Sequence, residues 1–284
     1  MSNANILKAV KTVIENPISD VVTYYRSRNR INAVGDSLEL FIKDIFANTL
    51  NVQSEEERLT AYEDVYSYFG NANNPPDLMI AGGDAIEVKK LGSESSTIAL
   101  NSSYPSAKLF ANSPMLTSAC RSCEAWTEKD LIYAIGCVQQ EKLRSLWLVY
   151  GDCYAASREV YETVKQRIVR GIAGIQDFEF SITKELGRVN KIDPLGITSL
   201  RIRGMWQIEH PRKAFQYLNI SLEPNDSLRV VVLLREEKYL SLPLEDRRWL
   251  EATTSNQLNI TDVKIKSPDN PVKRLPAKLI IYQT

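Results

Sequence analysis

Apolar positions recur at helical spacing in two segments near the start of the chain. The first covers about residues 3–15 and stops at an Asn-Pro pair, and the second covers roughly 34–49. A third segment, "SEEERLTAYEDVYSYFG", begins with Ser54 as a candidate N-cap followed by acids in the first turn. Each pattern is typical of an α-helix, so we predict three helices in this part of the chain.

Short apolar runs dominate the middle of the chain and indicate strands. Two of them flank a Gly-Gly-Asp turn in "PPDLMIAGGDAIEVKKL", residues 75–91, and predict a β-hairpin. Residues 130–138 and 145–154 are nearly continuous apolar runs, as expected for strands covered on both faces, and 158–172 returns to helical spacing. The order helix, hairpin, strand, strand, helix predicts an α/β fold with a mixed central sheet flanked by helices.

Beyond residue 173 the pattern is less regular but still contains strand-like runs. They lie in "ITSLRIRGMWQIEHP", "LRVVVLLREEKYL" and "PAKLIIYQT". No Gly/Ser-rich linker separates this region from the rest of the chain. We therefore predict a single domain over 1–284, in which a sheet-rich C-terminal elaboration at about 173–284 packs on a core formed by the preceding residues.

Composition narrows the class of protein. The 284 residues are 44% hydrophobic, which is enough to bury a sizeable core. The formal net charge of zero gives no support to a nucleic-acid partner for the chain as a whole, although metal-binding acids can offset phosphate-binding bases. The four cysteines are too few and too unevenly spaced for a disulfide scaffold. With no bilayer-length apolar run and no secretory signal pattern, we expect a cytoplasmic protein without a membrane partner.

The hairpin places three charged residues within reach of one another. Strand residues two apart share a face, so Glu87 and Lys89 project together, and the glycine turn carries Asp77 toward the same end of the sheet. Two neighbouring carboxylates repel each other, and a divalent cation relieves that repulsion. Oxygen ligands from Asp77, Glu87 and a backbone carbonyl such as that of Val88 suit Mg²⁺. Lys89 then orients or helps to deprotonate the attacking water and offsets charge on a phosphate.

These residues resemble a known nuclease signature. Pro76-Asp77, followed along the chain by Glu87-Val88-Lys89, is similar to the P-D...(D/E)-x-K motif of the restriction-endonuclease-like superfamily. The order of elements follows that fold over about 34–172, the predicted nuclease core. The segments "RNRINAVGDSLELFIKDIF", "STIALNSSYP" and "LRIRGMWQIEHP" further resemble the NgoPII-type family of Type II restriction endonucleases.

That resemblance implies a specific activity. The protein would be a homodimeric, Mg²⁺-dependent endodeoxyribonuclease that needs no nucleotide cofactor. It would cut both strands of a short, GC-rich palindrome in double-stranded DNA and leave 5′-phosphate and 3′-hydroxyl ends. The C-terminal elaboration would contribute to DNA recognition.

The resemblance also suggests supporting residues around the hairpin. Glu39 matches the helical acid that points toward the metal in such nucleases, although an exposed charge paired with Lys43 fits the sequence equally. Short hydrogen-bond donors and arginines elsewhere suit DNA phosphates or base edges, although ordinary turns and solvated loops also explain them. The predicted DNA-contacting residues are Arg28, Arg30, Asn32, Lys90, Asn101, Ser102, Ser103, Arg201 and Arg203.

The sequence leaves alternatives open. Acid-any-lysine triplets also occur at 236–238 and 262–264, but only the Glu87 copy has a Pro-Asp on the preceding strand of a hairpin. The same hairpin also fits a solvated, salt-bridged pair of strands. The same nuclease core also fits a repair or recombination enzyme that recognises DNA structure, or a DNA-binding protein that has no catalytic activity.

Overall fold

The computed structural model describes residues 4–27, 36–71, 74–175, 178–220, 228–253 and 255–284. The α-helices in these ranges are α1 Ile6–Glu15, α2 Val21–Arg26, α3 Asp36–Ala47, α4 Glu55–Val65, α5 Ser118–Ser122, α6 Gly151–Tyr154, α7 Arg158–Ala173, α8 Pro211–Ala214, α9 Glu236–Ser241 and α10 Leu244–Ala252. None of these helices is long and apolar enough to cross a membrane.

The strands follow the same chain order. They are β1 Tyr66–Asn71, β2 Asn74–Ile80, β3 Ala85–Leu91, β4 Ile98–Ala99, β5 Lys108–Phe110, β6 Glu128–Gln139, β7 Lys142–Tyr150, β8 Glu179–Ser181, β9 Gly187–Asn190, β10 Leu200–Ile202, β11 Gln207–Ile208, β12 Arg229–Arg235, β13 Leu258–Lys266 and β14 Arg274–Gln283.

The central sheet has the strand order β1-β2-β3-β6-β7-β12-β14-β13, with β5 paired to β6 at one side. Strand β3 runs parallel to β6, and β7 runs parallel to β12, whereas the other neighbouring pairs are antiparallel. Helices flank this sheet, so the predicted α/β fold with a mixed central sheet is confirmed.

Helix α3 packs directly on the middle of the sheet because its apolar stripe is continuous. Leu38, Phe41, Ile42 and Ile45 are fully buried. Strand β6 has a glycine, Gly136, where α3 crosses it, and a Cβ there would lie only 2.6 Å from the Leu38 side chain. The close contact fixes α3 over the sheet, and α3 also contacts β3. Glu39 is thereby held near the hairpin.

Three predicted elements end earlier than expected. Ser54 caps α4, as predicted, but the helix stops at Val65, and Tyr66–Asn71 forms strand β1 because it pairs with β2. The run at 145–154 leaves the sheet after Tyr150 and becomes the short helix α6. The run beginning at Leu228 ends as a strand at Arg235, where α9 starts. At the end of α4, pairing of β1 with β2 and not local propensity sets the boundary.

The C-terminal region extends the central sheet instead of only lying against it. Strand β12 pairs with β7 through five residues from Arg229 to Leu233, and β14 and β13 continue the sheet beyond it. A separate small sheet has the order β10-β9-β8. The division into a core at 34–172 and an elaboration at 173–284 stays a prediction, but three strands of the main sheet come from the second part.

Helix α7 is present as predicted, but its apolar stripe is not covered. Val160, Val164 and Ile168 are 48%, 44% and 43% exposed, and none of the helix's residues is buried. One edge of the helix is attached through Tyr161, whose ring stacks on Tyr104 with centroids 5.4 Å apart. The stripe therefore remains available on the surface of the described chain.

The cysteines behave as predicted. All four are free, and Cys120, Cys137 and Cys153 are buried. Cys120 and Cys123 lie on and just after α5, where the Cys120 thiol contacts the Met79 sulfur at 3.4 Å. Among the described residues no group of three or more His, Cys, Asp or Glu side chains is arranged to hold a metal.

Candidate active site

Strands β2 and β3 form the predicted hairpin, and they separate near Asp77. The register pairs Leu78 with Ile86 and Met79 with Ala85. Beyond these two pairs, the Val88 N–H donates to the Asp77 Oδ2 at 2.6 Å. A side-chain carboxylate therefore takes the place of a backbone carbonyl of β2 as the acceptor. Gly70 on β1 allows this arrangement, because a Cβ there would overlap the Pro76 carbonyl at 2.1 Å. The hairpin thus holds the Asp77 carboxylate against the backbone of the strand that carries Glu87.

Glu87 and Lys89 lie on the same face of β3, as strand alternation requires. The Lys89 Nζ and the Glu87 Oε1 are 2.6 Å apart, and both side chains are largely buried. The other carboxylate oxygen, Glu87 Oε2, is buried and has no hydrogen-bond partner within the described ranges of the chain. A buried carboxylate oxygen without a partner is costly in a folded protein, so this atom marks a position where a cation fits.

The charges in the hairpin perturb one another. Burial, followed by the negative charge of Glu87, raises the pKa of Asp77 to about 7, against the lowering effects of the Val88 N–H and Lys89. Burial alone lowers the pKa of Lys89, but the charge and hydrogen bond of Glu87 outweigh it, and the net shift is upward. The site therefore holds a protonated lysine beside Glu87 and an Asp77 carboxyl group whose pKa lies near neutral pH.

The residues present fit a divalent cation with few protein ligands. Asp77 and Glu87 supply two hard carboxylate oxygens, and Mg²⁺ is commonly held by one or two carboxylates with water and substrate phosphate completing its shell. Val88 remains the predicted donor of a backbone carbonyl; its N–H is the group that contacts Asp77. The unpartnered Glu87 Oε2 is the observation that favours a cation here.

Glu39 lies beside the hairpin but is engaged elsewhere. Its Oε1 accepts from the Lys43 Nζ at 2.7 Å, the local pairing that the sequence left open. Its negative charge nevertheless contributes to the raised pKa of Asp77, as the smallest of several causes. A supporting role at the site stays a prediction.

The hairpin residues open into a cleft of about 130 Å³ together with several predicted DNA-contacting residues. Pairing of β4 with β11 and a hydrogen bond from the Trp206 N–H to the Asn101 carbonyl hold the 100–103 loop against the C-terminal region. The lining residues include Asn71, Asn74, Pro75, Asp77, Glu87, Lys89, Leu100, Asn101, Ser102, Ser103, Met115, Glu185 and Arg203. The structure thus brings three predicted catalytic residues and four predicted DNA contacts to one place.

Glu185 is a lining residue that sequence patterns did not reveal. Its carboxylate is buried and accepts from the Ser102 hydroxyl at 2.5 Å, from the Arg201 Nε at 3.0 Å and from the Arg203 Nε at 2.9 Å. Burial opposes ionisation, but these three partners lower the pKa of Glu185. Glu185 lies in an irregular segment before β9, where no periodicity or motif distinguishes it from other acids.

Other predicted contacts lie outside the cleft. Lys90 is exposed and follows Lys89 on the alternating strand, so it projects from the opposite face of β3. Arg201 does not line the cleft but shares the Glu185 carboxylate with Arg203. Arg28, Arg30 and Asn32 lie outside the described residues.

A separate network holds the hairpin turn in place. The Lys238 Nζ contacts Asp84 at 2.6 Å and Asp130 at 2.7 Å, and the Tyr150 hydroxyl donates to Asp84 at 2.6 Å. The Lys129 Nζ donates to the Ile80 and Gly83 carbonyls around the same turn. Lys238 belongs to one of the rival acid-any-lysine triplets, and its contacts anchor the turn between β2 and β3.

A mixed sheet with flanking helices and an acid–lysine cleft between its strands is the arrangement of a restriction-endonuclease-like nuclease. The model of the NgoPII restriction endonuclease family matches residues 4–266. The chain is also 44% identical over 279 residues to the Type II restriction enzyme NgoPII of Neisseria gonorrhoeae, covering 98% of this chain and 99% of that protein. This chain therefore belongs to the NgoPII restriction endonuclease family. No solved structure gave a significant match.

Membership in this family decides between the functional alternatives. The chain is a Type II restriction endonuclease, a site-specific deoxyribonuclease whose substrate is DNA. Enzymes of this class generally use divalent metal ions. The reading as a repair nuclease that recognises DNA structure and the reading as an inert binding protein are both set aside by this result.

Proposed function

We propose that this enzyme cleaves DNA by Mg²⁺-dependent phosphodiester hydrolysis in the cleft formed by Asp77, Glu87 and Lys89. The observation that carries the proposal is the buried Glu87 Oε2, which has no hydrogen-bond partner among the residues that the structure describes and belongs to a side chain lining the same cleft as Asp77. Asp77 and Glu87 would hold the cation, with the Val88 carbonyl as a further ligand. When bound, Mg²⁺ supplies Lewis acidity toward the scissile phosphodiester and the attacking water.

Lys89 has an electrostatic role in this proposal. Because its ammonium group is fixed on Glu87 and its pKa is raised, it stays protonated at neutral pH. It therefore orients the attacking water and offsets the negative charge that builds on the phosphate. Because it already carries its proton, it does not act as the general base. In-line attack on phosphorus expels the 3′ oxygen and leaves a 5′-phosphate and a 3′-hydroxyl. Glu39 would support the site from α3.

We propose that one DNA duplex lies across the mouth of the cleft, where a backbone phosphate would meet the predicted DNA contacts. Asn101, Ser102 and Ser103 offer short donors beside the catalytic residues, and Arg203 lines the same space. Arginine recognises guanine O6 and N7 with two hydrogen bonds, which supports a GC-rich site. Lys90, Arg28, Arg30 and Asn32 remain proposed as outer contacts to the DNA.

Cleavage mapping tests this function directly. With Mg²⁺, supercoiled plasmid should give discrete fragments, and sequencing the ends should return one short GC-rich palindrome. The ends should carry a 5′-phosphate, so DNA ligase should rejoin them without kinase treatment. EDTA should stop the reaction. A smear, activity that persists in EDTA, or ends that require a kinase before ligation would contradict the proposal.

We also propose that the active enzyme is a homodimer. The described part of the chain contains one acid–lysine cleft, and cutting two antiparallel strands symmetrically needs two clefts related by a two-fold axis. Helix α7 offers a surface for this contact, since its stripe is nearly half exposed and Ile175 continues it past the helix end. Further exposed apolar side chains follow at Phe178, Ile182, Leu195, Ile197 and Leu200.

Substituting Val164→Glu should separate the subunits. A charged group in the centre of a buried apolar contact is costly, so the dimer dissociation constant should rise by about 100-fold or more. Sedimentation equilibrium gives the constants, and Leu59→Glu, at a 50% exposed apolar position on α4, is the matched control. An unchanged dimer in Val164→Glu would remove α7 from the interface, and a monomeric wild-type enzyme that cuts both strands would contradict the homodimer.

A further inference from the structure

One buried carboxylate organises the arginines at the mouth of the cleft. Glu185 is 5% exposed by its side chain, whereas the side chains of Arg201 and Arg203 are 53% and 60% exposed. Both guanidinium groups bind the same carboxylate, Arg201 through Nε and Nη2 and Arg203 through Nε. Two exposed cations are thus attached to a single acid that is shielded from solvent.

Among the described residues, the contacts with Glu185 leave further N–H donors available on both arginines. A guanidinium carries five N–H donors in a rigid plane, and Glu185 engages one or two of them on each side chain. The contacts with Glu185 hold the other donors in a fixed direction. The entropic cost of ordering these long side chains is therefore incurred during folding and not again when DNA binds. Arg203 lines the cleft that contains Asp77 and Glu87.

Ser102 links this cluster to the predicted DNA-contacting loop. Its hydroxyl donates to the Glu185 Oε1 at 2.5 Å, across a separation of 83 positions in the chain. The same oxygen accepts from the Arg203 Nε. Glu185 therefore sets the position of the 101–103 loop relative to the two arginines, as well as the orientation of the arginines themselves.

We infer that Glu185 is a positioning residue for DNA recognition, which orients Arg201, Arg203 and Ser102 toward the DNA beside the scissile phosphodiester. The inference rests on the proposed function of the cleft. One negative charge against two positive charges leaves the Glu185 cluster net positive, which attracts DNA, while the fixed directions of the donors distinguish the correct bases. Attraction depends on the arginine charges, and discrimination depends on Glu185.

This division predicts opposite effects on two measurements. In Glu185→Gln the side chain keeps its shape but loses its charge, so the arginines are released and the cleft becomes more positive. Affinity for non-specific DNA should rise about 2- to 5-fold with a steeper dependence on salt. The ratio of kcat/KM on the cognate site to kcat/KM on a site with one changed base pair should fall at least about 10-fold, mainly through kcat on the cognate site.

A matched control is available on β8, in the small sheet whose strand β10 carries Arg201. Glu179 forms an exposed ion pair with Lys191 at 2.8 Å and does not contact the arginine cluster. Glu179→Gln removes the same charge, so it should raise non-specific affinity slightly and leave the discrimination ratio unchanged. Arg203→Lys is a second probe that keeps the positive charge but loses the planar fork, and it should lower discrimination even where Glu185→Gln folds poorly.

A double-mutant cycle shows whether Glu185 acts through the arginines. In the Arg201→Ala/Arg203→Ala background, Glu185→Gln should change discrimination less than 2-fold, because both arginines are gone and the amide oxygen of glutamine still accepts the Ser102 hydrogen bond. Wild-type discrimination in Glu185→Gln, or an equal loss in both backgrounds, would overturn the inference. These outcomes are separate from failure of the proposed function, in which the wild-type enzyme itself would lack Mg²⁺-dependent, site-specific cleavage.

Discussion

Replacing Asp77 by asparagine should lower the rate of Mg²⁺-dependent DNA cleavage by roughly 10³-fold or more, while the protein stays folded and binds DNA. The substitution removes one of the two carboxylates that would hold the cation. It should also remove the increase in melting temperature that Mg²⁺ gives to the wild-type protein, because ligand-linked stability requires the ligand to bind. Single-turnover cleavage and thermal unfolding with Mg²⁺ or EDTA measure the two effects.

Without metal, we expect Asp77→Asn to be more stable than the wild-type protein above neutral pH. The pKa of Asp77 is about 7 in the folded protein, against an ordinary value of 3.8, so the folded state binds this proton more tightly than the unfolded chain does. Ionised Asp77 therefore lowers stability progressively as pH rises from about 4 to 7, and the full cost remains above pH 7. At pH 8 in EDTA, Asp77→Asn should unfold at a higher temperature than the wild type.

The second rival triplet supplies the control for Asp77. Asp262 precedes Val263 and Lys264, pairs with Lys278 on the neighbouring strand and has a side chain that is 73% exposed. Asp262→Asn should retain wild-type cleavage and a wild-type response to Mg²⁺. The metal site would be placed wrongly if Asp77→Asn cut DNA at the wild-type rate, or if both variants lost activity equally.

Lys238→Met should lower the free energy of unfolding by about 3–5 kcal/mol. The lysine is largely buried and lies within 2.7 Å of both Asp84 and Asp130. Its removal leaves Asp84 without this counter-charge and leaves Asp130 with only the more exposed Lys108, 3.6 Å away. The Tyr150 hydroxyl still donates to Asp84 but carries no positive charge. Urea unfolding at pH 7 measures the change. Lys264→Met, at an exposed lysine, should change the free energy of unfolding by less than about 0.5 kcal/mol. Equal losses in both variants would show that the buried network stabilises the protein no more than an exposed lysine does.

The hairpin could be predicted from the sequence because its information is local. Alternation along β3 places Glu87 with Lys89, and the Gly-Gly-Asp turn brings β2 back beside it. The apolar stripe of α3 and the apolar runs of β6 and β7 were equally readable, since each follows from the period of one element. These local features were enough to predict the fold class and the candidate catalytic residues.

Contacts between distant segments could not be predicted in the same way. Nothing near Glu185 indicates that Ser102, Arg201 and Arg203 converge on it, and nothing near Lys238 indicates Asp84. Strand β1 was predicted as helix because its partner, β2, lies beyond a turn. The spacing of apolar residues also gives information about one element only. It revealed the apolar stripe of α7, but whether that stripe is buried depends on the elements that pack nearby.

Insertion of β12 between β7 and β14 has a consequence for the timing of activity during synthesis. The first 172 residues contain Asp77, Glu87 and Lys89, yet they end before the strand that covers the edge of β7 and before the lysine that anchors the hairpin turn. A nascent chain on the ribosome therefore carries every proposed catalytic residue in an incomplete sheet. Cutting competence is expected only after the C-terminal strands emerge, so translation that stops early should release inactive fragments and not a truncated nuclease.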